Sequence, residues 1–414
     1  MIGPLPVRRP VTLVVLAAVT ACASPEPGSD ADRTALSPVE LGELLFTTET
    51  FQGNGRVCST CHVLEGFGTM SPELIQAKFA RDPTDPLFRS IDSDDGVGED
   101  YTRLLEHGTV RVPIPLGVHE PFGLSVRRCD APADTVVWLN RGNPSVFNIA
   151  LERHLMVDGR DGESLPTQAG NAVNTHAEPG RQPTPEELDA IAAFQRTLFS
   201  SEAVRRFLET GAGLGLPDGR TPAEIRGREF FNEDRQCGVC HAGPMLNQTG
   251  AGHPDGPGLL FESATVGMNP DNPNPKYDWC WVDPATDTIV VGPNDSRVVT
   301  RSPTSDPGAG LLPGFFGFPQ PDGSVDEVPH AMLAAAIGDW FKLPTLWGSP
   351  ETAPYFHDNS AKDLAAVLDH YNFMFSTLTS SFVIGCEPRT AECLSPGDKE
   401  DIIAYMQLLS FDEV

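Results

Sequence analysis

A mainly α-helical chain, folded as two halves on one plan with long irregular loops between its helices, is what this 414-residue sequence predicts. Three observations carry that prediction. A capped apolar helix stands ahead of a Cys-x-x-Cys-His pentapeptide twice, once in each half. A second capped helix closes each half, near residues 184–198 and 395–409. Between them, 39 Gly and 39 Pro are too many for continuous helix yet below a disordered composition, which calls for long ordered loops.

In chain order, Arg8 and Arg9 precede an apolar run from Val11 to Ala21 that ends Val19-Thr20-Ala21-Cys22. The run is too short to span a bilayer and places small residues before a cysteine, as a secretory signal does. It resembles the lipobox of bacterial lipoproteins, which implies cleavage before Cys22 and a lipid thioether on that residue. An ordinary signal cut after Ala21 or Ala23 is the alternative. Residues 1–22 are therefore expected to be a signal peptide and 23–36 a flexible tether rich in Pro, Gly, Ser and Asp. The body is expected to be periplasmic and lipid-anchored, and Ser24 after Ala23 points to the outer membrane.

Ser37-Pro38-Val39-Glu40 and Thr221-Pro222-Ala223-Glu224 read as matching helix starts. Ser or Thr caps the first amides, Pro takes the first helical position and Glu reaches back from the third. The helices run to Leu45-Phe46 and Phe230-Phe231, then to Cys58-Ser59-Thr60-Cys61-His62 and Cys237-Gly238-Val239-Cys240-His241. The closing helices start at Thr184-Pro185 and Ser395-Pro396 and carry apolar residues at helical spacing. The Gly-rich stretch from Gly211 to Gly219 marks the boundary, giving an N-terminal half of 37–210 and a C-terminal half of 211–414. Loops 82–135 and 243–330 read as mostly irregular.

Each pentapeptide is the attachment signature of a covalent haem c. Its cysteines add to the haem vinyl groups as thioethers, and the next histidine, His62 or His241, lies under the iron as proximal ligand. Zinc needs four convergent ligands but gives no reason for His to follow both pairs, and a thioredoxin-like redox pair needs no His at all. A helix before the haem and a terminal helix packed on it is the plan of cytochrome c, so two cytochrome c-like domains are expected. Beyond Cys22 and the four motif cysteines, the nine Cys leave Cys129, Cys280, Cys386 and Cys393, an even number suited to an oxidising compartment. Cys386 and Cys393 can close a small loop, which leaves Cys129 with Cys280. The formal charge of −28 excludes nonspecific nucleic-acid binding and favours a basic electron-transfer partner. The acidic run Asp92-Ser93-Asp94-Asp95 lacks EF-hand spacing and reads as a solvated loop.

Three further segments resemble the bacterial di-haem cytochrome c peroxidase family, which includes MauG-type enzymes. Arg141 to Asn148 is similar to its RNxPTVLN. Val157-Asp158-Gly159-Arg160 with Leu165 and Gln168 is similar to its WDGRA…LxxQ. Lys342 to Leu346 and Ala353 to Ser360 are similar to its KxPTLRN…APYFHDGS. The resemblance spans about Leu41 to Leu409 and is weakest in the two long loops. It implies that His62 serves the iron where peroxide reacts and His241 the iron that takes electrons from a donor. It also places Gln168 and Glu178 at the family's active-site glutamine and acid–base glutamate. His176, two residues before Glu178, is a rival base whose ordinary pKa suits proton transfer. Along the same pattern Tyr371 falls where the peroxidases have a distal methionine and MauG-type enzymes a tyrosine. Met374, one turn later, and His370 remain open as ligands of the second iron.

The departures are Val157 at the family's inter-haem tryptophan and Trp347 at its PTLRN arginine. The resemblance leaves room for calcium at Gly142, Thr352 and Pro354. No histidine shortly after Cys58–His62 matches the removable distal ligand of the peroxidases; His107 and His119 lie in a divergent loop. The expected function is peroxide reduction to water, with two electrons from a small c-type cytochrome or similar donor. A MauG-type oxidase of a protein or small molecule is the second reading, and a lipid-anchored electron carrier the third. The expected partners are hydrogen peroxide, that donor, the membrane through Cys22 and, compatibly, a second copy of the chain.

Overall fold

The entry helices begin where their caps dictate. In α1 (Pro38–Thr48), Ser37 Oγ accepts the Glu40 amide at 3.3 Å while the Glu40 carboxylate accepts the Ser37 amide at 2.9 Å. The computed structural model describes residues 35–119, 123–253, 256–263, 265–290, 303–313, 338–377 and 393–411. Cys22, Cys386 and the expected signal and tether up to residue 34 lie outside them.

After α1 come α2 (Cys58–Cys61), α3 (Pro72–Arg81), α4 (Thr102–His107) and the strands β1 (Thr109–Pro115), β2 (Ser125–Arg128) and β3 (Val136–Gly142). Helix α5 (Leu165–Ala172) runs into a π-turn at Val173–Ala177, followed by α6 (Pro185–Gln195) and α7 (Glu202–Thr210). The second half holds α8 (Pro222–Glu229), β4 (Phe261–Ser263), β5 (Trp279–Asp283), β6 (Thr288–Ile289), β7 (Trp340–Lys342), α9 (Leu364–Thr377) and α10 (Pro396–Met406). Reciprocal capping boxes recur at α6, α8 and α10, as the repeated sequence motif requires.

Helix α1 packs on α6, and α8 packs on α10. Both crossings are glycine contacts: a Cβ on Gly42 would overlap the Ala190 carbonyl, and one on Gly227 the Asp401 carbonyl. Because the obstacle is backbone rather than a movable side chain, Gly42→Ala is expected to destabilise the fold by about 1–3 kcal/mol. Urea unfolding followed by circular dichroism reads this, and an unchanged midpoint would contradict the close crossing.

The loops expected to be irregular contain most of the strand structure. β1 pairs antiparallel with β3, and β2 pairs with β5, which pairs with β6. In β1, Val110, Val112 and Ile114 are buried while Arg111 and Pro113 between them are not, an alternation that period-2 side-chain geometry explains. Strands from the two loops close a core of their own around the buried Trp279 and Trp281. Cys129, just after β2, bonds to Cys280 in β5 across a Cα–Cα distance of 5.2 Å, as expected. Cys393 is also disulfide-bonded.

A second internal repeat appears where the halves meet. β3 leads into Asn143-Pro144-Ser145 and β7 into Leu343-Pro344-Thr345. Ser145 Oγ donates to Phe67 O at 2.7 Å, and Thr345 Oγ donates to Met245 O at 2.8 Å, so each segment grips the loop that follows one Cys-x-x-Cys-His. Each then reaches into the other half. The Gly142 amide donates to His357 O at 2.7 Å, and the Lys342 amide donates to Val157 O at 3.0 Å. From Ser37 onward the chain is accordingly one compact unit, although each half keeps a hydrophobic cluster around its own helix pair. Among the described residues, no helix is long and apolar enough to cross a membrane.

Candidate haem sites

Both pentapeptides leave their histidine in the form a metal ligand needs. His62 Nδ1 lies 3.1 Å from Gly68 O and His241 Nδ1 lies 2.9 Å from Leu246 O, the arrangement in which Nδ1–H donates to a carbonyl. Burial pushes both imidazole pKa values down, so the rings are neutral and each Nε2 keeps its lone pair. Asn143 Nδ2 steadies the first motif by donating to Cys61 O at 2.6 Å. The motif cysteines are outside any disulfide. Burial pushes the Cys58 and Cys237 thiols up to about 12 and Cys61 up to about 11. They are therefore thiols rather than thiolates at neutral pH.

One cavity of about 470 Å³ is lined by both pentapeptides. At its second-half end the Tyr371 hydroxyl stands 3.3 Å from His241 Nε2. Burial raises the phenol's pKa, so without a cation it is a neutral hydroxyl. Met374 also lines the cavity, one turn further along α9. His370 does not: its Nδ1 lies 2.8 Å from Asn269 Nδ2, and its ring packs edge-on against Phe356.

At the first-half end, Gln168 and His176 line the cavity. Gln168 Nε2 contacts Met156 Sδ at 3.7 Å, while Gln168 Oε1 is buried with no hydrogen-bond partner. An orphaned amide oxygen in a polar-poor cavity is an acceptor awaiting a donor. Burial lowers the His176 pKa to about 4, leaving a neutral imidazole. The π-turn that carries His176 is a device found often at functional sites. Glu178 lies just past that turn in left-handed conformation, φ 48°, exposed and outside the cavity lining. Its Oε2 accepts from Asn54 Nδ2 at 2.9 Å, and the same Nδ2 donates to His176 O at 2.9 Å. The structure thus brings Gln168 and His176 to one cavity and leaves Glu178 exposed, outside its lining.

Met156 was not singled out by the sequence, and its position follows from a φ of 66° that no local signal announces. Trp347, the aromatic in place of a cation, lines the cavity and donates its indole N–H to Pro244 O at 2.8 Å, three residues beyond His241. His119 is wholly buried beside Trp281 and lies outside the cavity lining, as does His107.

These residues fit haem c. Two thiols and an imidazole lone pair stand at each motif, the cavity between them is largely apolar, and a phenol and an unpartnered amide oxygen face into it. Gly142, Thr352 and Pro354 line the same cavity. Among the described residues, no group of three or more His, Cys, Asp or Glu could hold a metal ion, so calcium there would depend on carbonyl oxygens.

No family model matches the chain, and no curated protein does. It is similar to solved structures. A diheme peroxidase, BthA from Burkholderia thailandensis, is 14% identical over 92% of this chain and 89% of that one, with a TM-score of 0.45. A MauG-like protein associated with microbial copper homeostasis is 18% identical over 91% and 88%, with a TM-score of 0.44. Hydrazine synthase from Kuenenia stuttgartiensis is 15% identical over 97% and 98%, with a TM-score of 0.40. A diheme peroxidase and a MauG-like protein are thus among the solved structures to which the chain is similar.

Proposed function

We propose that this chain is a periplasmic, lipid-anchored di-haem c-type peroxidase that reduces hydrogen peroxide to water with electrons from a small c-type cytochrome or similar donor. The observation that carries the reading is the asymmetry of the shared cavity. A phenol faces His241 at 3.3 Å, whereas the first-half end presents a neutral imidazole and an unpartnered amide oxygen. Haem held by Cys58, Cys61 and His62 and by Cys237, Cys240 and His241 would supply the electron transfer needed to cleave the O–O bond.

The chain's own residues handle the protons. Gln168 Oε1 accepts a hydrogen bond from peroxide. The free ring nitrogen of His176 takes the proton from the proximal oxygen and returns it to the distal one, so that water leaves. Glu178, exposed and held by Asn54, takes up from solvent the two further protons that the second water requires. The direct test is peroxide-dependent oxidation of a reduced small c-type cytochrome by the haem-loaded protein. Two cytochromes oxidised per peroxide are expected, and peroxide left unconsumed would overturn the proposal.

Tyr371 also supports a second reading, a MauG-type oxidase. Phenolate is a hard anionic donor that favours oxidised iron, whereas thioether raises the potential. Tyr371→Met is therefore expected to raise the potential and alter the spectrum of one haem only. An unchanged spectrum would show that the phenol is not a ligand.

A further inference from the structure

The two ends of the cavity correspond in their hydrogen bonds and caps, because the second internal repeat continues, with one residue fewer in the second half's loop, into α5 and α9. After the matched Asn143–Ser145 and Leu343–Thr345 segments, both halves make a short 3₁₀ turn, at Ile149–Leu151 and at Ser349–Glu351. Both then place a large residue in left-handed conformation, Met156 at φ 66° and Phe356 at φ 71°. The Leu155 amide donates to Gly162 O, and the Tyr355 amide donates to Ala361 O, each at 2.7 Å. The helices that follow are capped alike: Ser164 Oγ accepts the Thr167 amide at 3.3 Å, and Asp363 Oδ1 accepts the Ala366 amide at 2.8 Å. From these caps, Leu165 corresponds to Leu364 and Ala169 to Leu368, all buried. The same register takes Tyr371 onto Ala172, and both residues line the cavity.

We infer that residue 172 determines which of the two haem sites is open, a conclusion that rests on the haem reading above. In the second half the phenol of Tyr371 reaches His241 Nε2, and the Phe356 ring backs it edge-on with centroids 6.3 Å apart. In the first half the phenol is reduced to the methyl of Ala172. The backing ring is replaced by the Met156 thioether, which engages the Gln168 amide instead. Alanine removes both the bulk and the hydroxyl that Tyr371 presents at the matching position. Up to this residue the helix geometry is not what differs, since the cap and first buried turn match; beyond it α5 passes into the π-turn at Val173–Ala177 while α9 continues to Thr377. Tyr371 backed by Phe356 closes one site with the chain's own atoms, and Ala172 beside Met156 leaves the other open to a small ligand.

Cyanide titration of the haem-loaded protein, read from haem absorption, tests this. Wild type is expected to bind one cyanide per chain, Ala172→Tyr none, and Tyr371→Ala two. Ala172→Tyr should also give the first haem the spectrum of the second, which a merely crowded pocket would not. Ala172→Phe supplies bulk without oxygen and should slow cyanide binding without that spectral change. Unaltered cyanide binding by haem-loaded Ala172→Tyr would overturn the inference, as would a second haem still closed in Tyr371→Ala. The latter only removes atoms and so keeps the test open if the tyrosine variant fails to load haem. A wild-type protein that binds one cyanide but consumes no peroxide would sink the peroxidase reading and leave this inference standing.

Discussion

Replacing His176 with leucine is expected to lower kcat/KM for hydrogen peroxide by about 10²–10⁴-fold, the usual cost of losing a positioned acid–base group. Both haems should remain attached, since His176 touches neither pentapeptide's covalent chemistry. The expectation comes from placement and charge state together. His176 lines the cavity, and burial holds its pKa at about 4, so the ring is a neutral acceptor at every pH above that value. Activity that depends on this acceptor should fall only as pH drops through about 4. The same depression has a stability consequence. The unfolded chain takes up the proton near the ordinary value of about 6.5, before the folded one does. His176 thus contributes stability that is fully present above about 6.5 and is lost as pH falls toward 4. Glu178→Gln is expected to have the smaller effect, because its carboxylate is exposed and outside the cavity lining. A larger loss in Glu178→Gln than in His176→Leu would return the principal role to the glutamate.

Arg141→Met is expected to cost about 3–5 kcal/mol of stability, which urea unfolding at neutral pH would measure. Arg141 is 2% exposed and bridges two carboxylates that are equally enclosed: Nη1 donates to Asp158 at 2.5 Å and Nε to Asp306 at 2.8 Å. Burial pushes the Asp158 carboxyl up, but Arg141 and then Arg160 outweigh it and hold the pKa at about 2. Since this folded value lies below the ordinary one of about 3.9, the pair stabilises above the latter and loses that contribution as pH falls toward 2. Removing the cation strands buried charge in the loop between β3 and α5, next to the Val157 carbonyl that joins the halves. The variant's deficit should therefore be largest at neutral pH and shrink in acid. A deficit below about 1 kcal/mol at pH 7 would mean that the pair contributes only what a surface ion pair does.

Much of this was legible in the residues. Ser37–Glu40 and Thr221–Glu224 announce their capping boxes because a cap is a local contract between side chain and backbone. Counting cysteines leaves four and so three possible pairings; the structure selects Cys129–Cys280 among them. The strands in loops 82–135 and 243–330 were missed because each is short and finds its partner far along the chain: Ser125 in β2 pairs with Val282 in β5. Although Val110, Val112 and Ile114 alternate cleanly, neighbouring prolines in β1 weaken the pattern. The repeat of Asn143–Gly159 by Leu343–Asn359 is hidden by substitution at nearly every position, and only the matched hydrogen bonds expose it. Gln168 is legible through resemblance, whereas the turn that puts His176 in the cavity lining and leaves Glu178 exposed outside it depends on a π-turn and a left-handed residue that no sequence signal specifies.

The most direct test is to add one equivalent of hydrogen peroxide to the purified, fully haem-loaded protein and follow its visible spectrum together with its oxidation of reduced cytochrome c. A rapid spectral change followed by brisk donor oxidation is the predicted result. A long-lived oxidised state that spares the donor would move the assignment to a MauG-type oxidase. No spectral change, in the oxidised and the half-reduced protein alike, would contradict the account and leave an electron carrier.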